Sequence, residues 1–140
     1  MKGIGTYLSF GSFSLISGSY LLLLVEHHAD GRVQLEENVG PIVLINKFNA
    51  KPEEADQFLK AWAADAAYFK SQPGFISAQL HRSIGGSGTF INYAGWEFAA
   101  QLKKALNSIN LQAILSDYPV STVVSPHIFR NVAVPGICLD

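Results

Sequence analysis

Cysteine is almost missing: Cys138 is the one thiol in 140 residues. A single cysteine closes no internal disulfide, which excludes the stapled scaffolds of small secreted domains. Its neighbours Val134, Ile137 and Leu139 are apolar and bring no base, so an inert thiol is favoured over a nucleophile. Charge is scarce as well, at 15% of residues with a net charge of -1. Lys103–Lys104 is the only basic doublet, so no patch exists to track phosphates, and no nucleic-acid partner is expected. Metal-ligand spacing is lacking too. His27 and His28 are adjacent and diverge on either a helix or a strand, so no metal site is expected. The "GGSG" of Gly85 to Gly88 runs into a strand pattern and not a helix. It therefore lacks the amides and dipole of a phosphate loop and reads as a hairpin turn.

What is present is apolar. Residues of the hydrophobic class make up 49% of the chain, enough for one domain with a sizeable core. Tyr7 to Val25 carries no charge and approaches the length of a membrane span, but serines and the glycines Gly11 and Gly18 dilute it. The positive region before it is thin, and the "EHHADG" after it offers no small-x-small cleavage site. Three readings remain: a weak anchor or leader, an ordered extension against the domain or a partner subunit, or residues upstream of the true start. The last two are favoured, so no membrane partner and a cytoplasmic location are expected. The polar, loop-forming stretch Ala29 to Gly40 then marks the boundary between an N-terminal extension, residues 1–38, and the main domain, residues 39–140.

The main domain opens with "PIVLINKF", a strand with Ile42, Leu44, Asn46 and Phe48 on one face. Pro52, Glu53 and Glu54 begin a helix, in which Ala55, Phe58, Leu59, Trp62, Ala66 and Phe69 form an apolar stripe ended by Pro73-Gly74. "GFISAQLHRSI" is the second strand, with Phe75, Ser77, Gln79, His81 and Ser83 expected on one face. "FINYAGWEF" is the third, with Phe90, Asn92, Ala94 and Trp96 together. Helices over "AAQLKKALNS" and "LQAILSDY" follow, and "STVVSPHIFRNVAV" supplies a last strand, expected to break near Pro126. The order β-α-β-β-α-β predicts an α+β, ferredoxin-like split-βαβ sheet with helices on one face. Its other face calls for cover, so a homodimer with facing sheets is expected, the terminal strand (Val123, Val124, Ile128, Phe129) reaching across.

Asn46, His81, Asn92 and Trp96 are distributed over three strands of that sheet. One polar residue per strand among apolar ones is the pattern of a small-molecule pocket, with Phe58, Trp62, Phe90 and Leu102 as candidate substrate-binding walls. Taken singly, each reads as readily as a bonded amide or a core indole. The segment from about Gly40 to Val134 resembles the antibiotic biosynthesis monooxygenase family of dimeric α+β barrels. The likeness is carried by "PGFISAQLHRS" and by "FINYAGWEF" with its N-x-x-x-W of Asn92 and Trp96. In quinone-forming members, the resemblance implies pocket roles for residues matching Asn46, Asn92 and Trp96, and a second-strand position, a Tyr in some relatives, falls at His81. A family Tyr on the following helix is replaced by a residue such as Leu102. The implied activity oxidises a small polycyclic phenol or anthrone to a quinone, with O2 as co-substrate and no other cofactor. Asn46, Asn92 and Trp96 would donate to a developing oxyanion, and His81 would take the proton.

Two alternatives stand beside it: a non-catalytic small-molecule-binding barrel, and a cofactor-free isomerase or cyclase that consumes no O2. Haem degradation, another branch of the family, needs an axial histidine after Trp96. None occurs between Trp96 and Tyr118, so haem is disfavoured.

Overall fold

The computed structural model describes residues 13–14 and 40–139. The readings of residues 1–38, of Tyr7 to Val25 as a segment, and of His27 and His28 therefore lie outside the described residues, Phe13–Ser14 excepted. Those two form β1. The main elements follow as β2 (Ile42–Asn49), a 3-10 turn at Pro52–Glu54, α1 (Ala55–Lys70), β3 (Phe75–Arg82), β4 (Thr89–Trp96), α2 (Ala99–Leu106), α3 (Ile109–Leu115) and β5 (Val123–Phe129). The described strands form one antiparallel sheet in the order β1-β5-β2-β4-β3. This is the expected split-βαβ arrangement.

Local chemistry accounts for the elements. Pro52 fills the first turn of the α1 region, Glu53 and Glu54 follow where the helix dipole favours acids, and Lys70 closes the last turn. Gly74 then turns the chain with a φ of 89°, a conformation that costs an L side chain dearly. The Glu97 N–H donates to the Gly74 carbonyl at 2.8 Å, and the Phe98 N–H to Gln101 Oε1 at 3.0 Å, where α2 starts. Tyr68 on α1 donates its hydroxyl to the Ala105 carbonyl of α2 at 2.7 Å, which ties the two helices together.

Alternation along β2 and β4 puts Ile42, Leu44, Asn46, Phe48, Phe90, Asn92, Ala94 and Trp96 on the buried face. Phe58 of α1 stacks on Phe90 with centroids 4.3 Å apart, and meets Phe48 edge-on at 5.1 Å. Tyr118 stacks on Phe48, and together these four rings plug one end of the space between helix and sheet. Leu102, Ala105 and Leu106 of α2 complete the core.

Three details depart from expectation. The helical stripe is turned by one residue, with Ala55, Phe58, Ala61 and Asp65 buried and Leu59 at the exposed margin. β5 runs unbroken through Pro126, which sits opposite Asn46. A proline offers no N–H to the ladder, and this one lies beyond the Val123–Val124 pairing with β1, where the outer edge of β5 meets no other described strand. Finally, β3 carries a bulge. Phe75 pairs with Trp96 and Ser77 with Gly95, so Ile76 is an extra residue and the face parity inverts after it.

Candidate active site

A cleft opens between α1 and the middle of the sheet, with about 410 Å³ of empty space when the open solvent in front of it is included. From β2 come Leu44 and Asn46; from β4 Asn92, Ala94 and Trp96; from β3 Phe75 and Ala78. The helix contributes Trp62, Asp65, Ala66 and Phe69. The lining is mostly apolar and aromatic, with the two amides, the two indoles of Trp62 and Trp96 and the carboxyl as its hydrogen-bonding side chains.

Asn46 and Asn92 are direct partners in the β2–β4 ladder, so their side chains stand next to each other on the covered face. Both are buried, and the Oδ1 of each lacks a hydrogen-bond partner. An unpartnered buried carbonyl costs about 1–3 kcal/mol, a cost that a ligand's hydroxyl would relieve. Each amide can turn either its carbonyl or its NH2 toward a ligand. Trp96 lies two pleats along from Asn92, held edge-on by Phe75 at 5.6 Å and Phe69 at 6.0 Å. Ala94 between them leaves the floor flat.

The carboxyl is a group that the alternation of strands does not reveal. Asp65 is 4% exposed, its Oδ2 accepts the Tyr118 hydroxyl at 2.7 Å, and its Oδ1 has no partner. Burial pushes its carboxyl up to about 7, against the opposing pull of the Tyr118 bond. Its position was legible in principle: Asp65 is three residues after Trp62 and seven after Phe58, on the apolar stripe itself. An acid on such a stripe is the signal.

Of the expected constellation, Asn46, Asn92 and Trp96 come together, with Trp62 as one wall. His81 does not join them. The Ile76 bulge places Phe75, Ala78, Leu80 and Arg82 on the covered face and turns His81 outward, opposite the exposed Ile91. Arg82 lies over the Phe90 ring instead, 5.2 Å from its centroid. Phe58, Phe90 and Leu102 are fully enclosed in the core and do not line this cleft. Phe90 shares the face of Asn92 but belongs to the aromatic plug further along the strand. Among the described residues, no three His, Cys, Asp or Glu side chains converge as a metal ion would need, and no helix is long and apolar enough to cross a membrane.

The same architecture recurs in solved structures. SnoaB from Streptomyces nogalater, described as a cofactor-independent oxygenase, is similar at a TM-score of 0.62 and 20% identity, over 70% of this chain and 99% of that one. A putative monooxygenase from Shewanella loihica PV-4 gives 0.58 and 27%, over 68% and 97%. A putative antibiotic biosynthesis monooxygenase from Caulobacter crescentus CB15 gives 0.62 and 19%, over 76% and 100%. A search of curated proteins finds no match. The sequence model for antibiotic biosynthesis monooxygenases matches residues 41–116, from the start of β2 to the end of α3 and so more than half of the chain, and the chain belongs to that family.

Proposed function

We propose that this protein is a cofactor-independent monooxygenase that converts a polycyclic phenol or anthrone to a quinone with O2. The observation that carries the reading is the Asn46–Asn92 pair, two adjacent buried amides with unpartnered oxygens facing an apolar cleft beside Trp96. Flat walls of Trp62, Phe69 and Phe75 suit a fused ring system, and the amides suit its oxygen substituents. SnoaB, the structural relative described as a cofactor-independent oxygenase, lends the fold-level precedent.

In this mechanism the substrate loses a proton from its ring methylene, leaving an electron-rich carbanion whose charge spreads onto the ring oxygen. The Asn46 and Asn92 NH2 groups and the Trp96 indole N–H donate to that oxygen as charge develops. The carbanion gives one electron to O2, and the radical pair combines to a carbon-bound peroxide. The remaining C–H proton and the distal oxygen leave as water. The CH2 and O2 become C=O and H2O. The apolar walls keep bulk water from the intermediates.

Exposed Ile76, Ile91 and Tyr93 on the opposite sheet face support a homodimer in which a second copy covers that face. Oxygen uptake with dithranol tests the activity. Asn92→Ala and Trp96→Phe are each expected to lower turnover by roughly 100-fold, in line with the loss of an oxyanion donor. Unchanged turnover in both would sink the assignment. A binding-only barrel would take up no O2 with any phenol offered.

A further inference from the structure

We infer that Asp65 is the proton acceptor of this site, taking the ring-methylene proton of an anthrone-type substrate on Oδ1. The inference rests on the monooxygenase reading for its substrate class, but not for its geometry. Asp65 is the single ionisable side chain among the eleven that line the cleft. One carboxylate oxygen is held by Tyr118 at 2.7 Å, which fixes the rotamer, and the other is buried without a partner. A carboxyl held at one oxygen and left open at the other is arranged to exchange a proton with a ligand.

The surroundings tune it. Tyr118, just after α3, is the titratable group bonded to it, and the Asn46, Asn92 and Trp96 that share its cleft are all neutral. No cation lines the cleft to hold the carboxylate ionised. Desolvation therefore places the titration near neutral pH, where a general base is both present and strong enough to act. Placement on α1 also separates the labour: the acid works from the helix side of the ring plane, while the amides hold the oxygen from the sheet side.

The methylene C–H breaks with its electron pair left on carbon, and the proton goes to Oδ1. After one electron passes to O2 and the C–O bond forms, Asp65 returns that proton to the peroxide anion. The carboxylate is then ready to take the second C–H proton as the O–O bond breaks, and the departing hydroxide leaves as water with it.

Proton abstraction can be read without oxygen. Wild-type protein in anaerobic D2O should accelerate deuterium exchange at the dithranol methylene, followed by NMR, with a rate that falls as pH drops through about 7. Asp65→Asn should lose roughly 100-fold or more of the catalysed exchange and its acid limb. Tyr118→Phe is the gentler second variant, decisive if Asp65→Asn does not fold. It keeps the ring stacked on Phe48 and removes a hydrogen bond that lowers the Asp65 titration, so its acid limb should move to higher pH. Exchange no faster than in buffer overturns the inference, as does full exchange in Asp65→Asn or an unmoved limb in Tyr118→Phe. Catalysed exchange without O2 uptake would instead overturn the monooxygenase reading and leave Asp65 as the base of a proton-transfer enzyme. O2 uptake that survives Asp65→Asn unchanged would overturn the role of Asp65 alone.

Discussion

The two faces of the sheet invert the usual distribution of polarity. Its helix-covered face buries Asn46 and Asn92 with oxygens left unpartnered, and the carboxyl of Asp65 lies above them. Its open face presents Ile91, Tyr93 and Ile76 with relative exposures of 39%, 43% and 54%. A chain selected for stability alone would exchange these two sets. Buried orphan oxygens cost stability and exposed large apolar side chains invite association. The contrast fits a sheet with an occupant for each face: in the proposed function a small molecule on one side and, in the proposed dimer, a second copy on the other.

That contrast can be attacked from either face. The largest effect is expected at the aromatic plug, where Phe58→Ala removes the ring that joins Phe48, Phe90 and Tyr118. It should cost about 3–5 kcal/mol in urea unfolding, because the site is fully enclosed and cannot collapse. A loss under about 1 kcal/mol would mean that the covered face is not a packed core at that end.

Next in size is a gain. The folded state raises Asp65 to about 7 from 3.8, so between those values the folded protein holds a proton that the unfolded chain has released. The stability tied to this group is fully present below about pH 3.8 and is lost as pH rises to about 7. Asp65→Asn keeps a polar side chain of the same shape and removes the titration. At pH 8 it should be more stable than wild type by an amount on the order of a few kcal/mol, with no such difference at pH 4. Parallel pH–Tm curves for the two proteins would refute this.

The smallest effect on the fold is expected on the open face. Ile91→Lys should change the stability of the single subunit by no more than about 0.5 kcal/mol, since the residue lies at a half-exposed position. Sedimentation should nevertheless show the dimer of the wild type replaced by monomer. A wild-type protein that sediments as a monomer would remove the need for an occupant on this face.

How far the sequence revealed this arrangement depended on periodicity. β2 and β4 alternate cleanly, so the pairing of Asn46 with Asn92 on one face with Trp96 was legible, as was the β-α-β-β-α-β order. The orientation of His81 was not, since alternation counts residues and a bulge inserts one without any mark in composition. Phe58 and Phe90 have the right facing for pocket walls but the wrong position along the sheet. Period-2 and period-3.6 patterns give the direction of a side chain and not its distance from the site. Asp65 did not stand out because an acid on a helix is ordinarily solvated. Its spacing from Phe58 and Trp62 placed it on the buried side throughout.

The extra residue at Ile76 has a consequence for how this family can vary. Side chains downstream of it on β3 look into or away from the cleft according to whether that residue is taken up in a bulge or in the regular ladder. Regular pairing through Ile76, with the residue kept and the bulge lost, would exchange the set containing Ala78 and Leu80 for the set containing Gln79 and His81, whereas deleting Ile76 would remove the bulge and leave those side chains facing as they do. The bulge therefore decides the chemistry of this wall of the cleft, and an imidazole stands one register step away from admission.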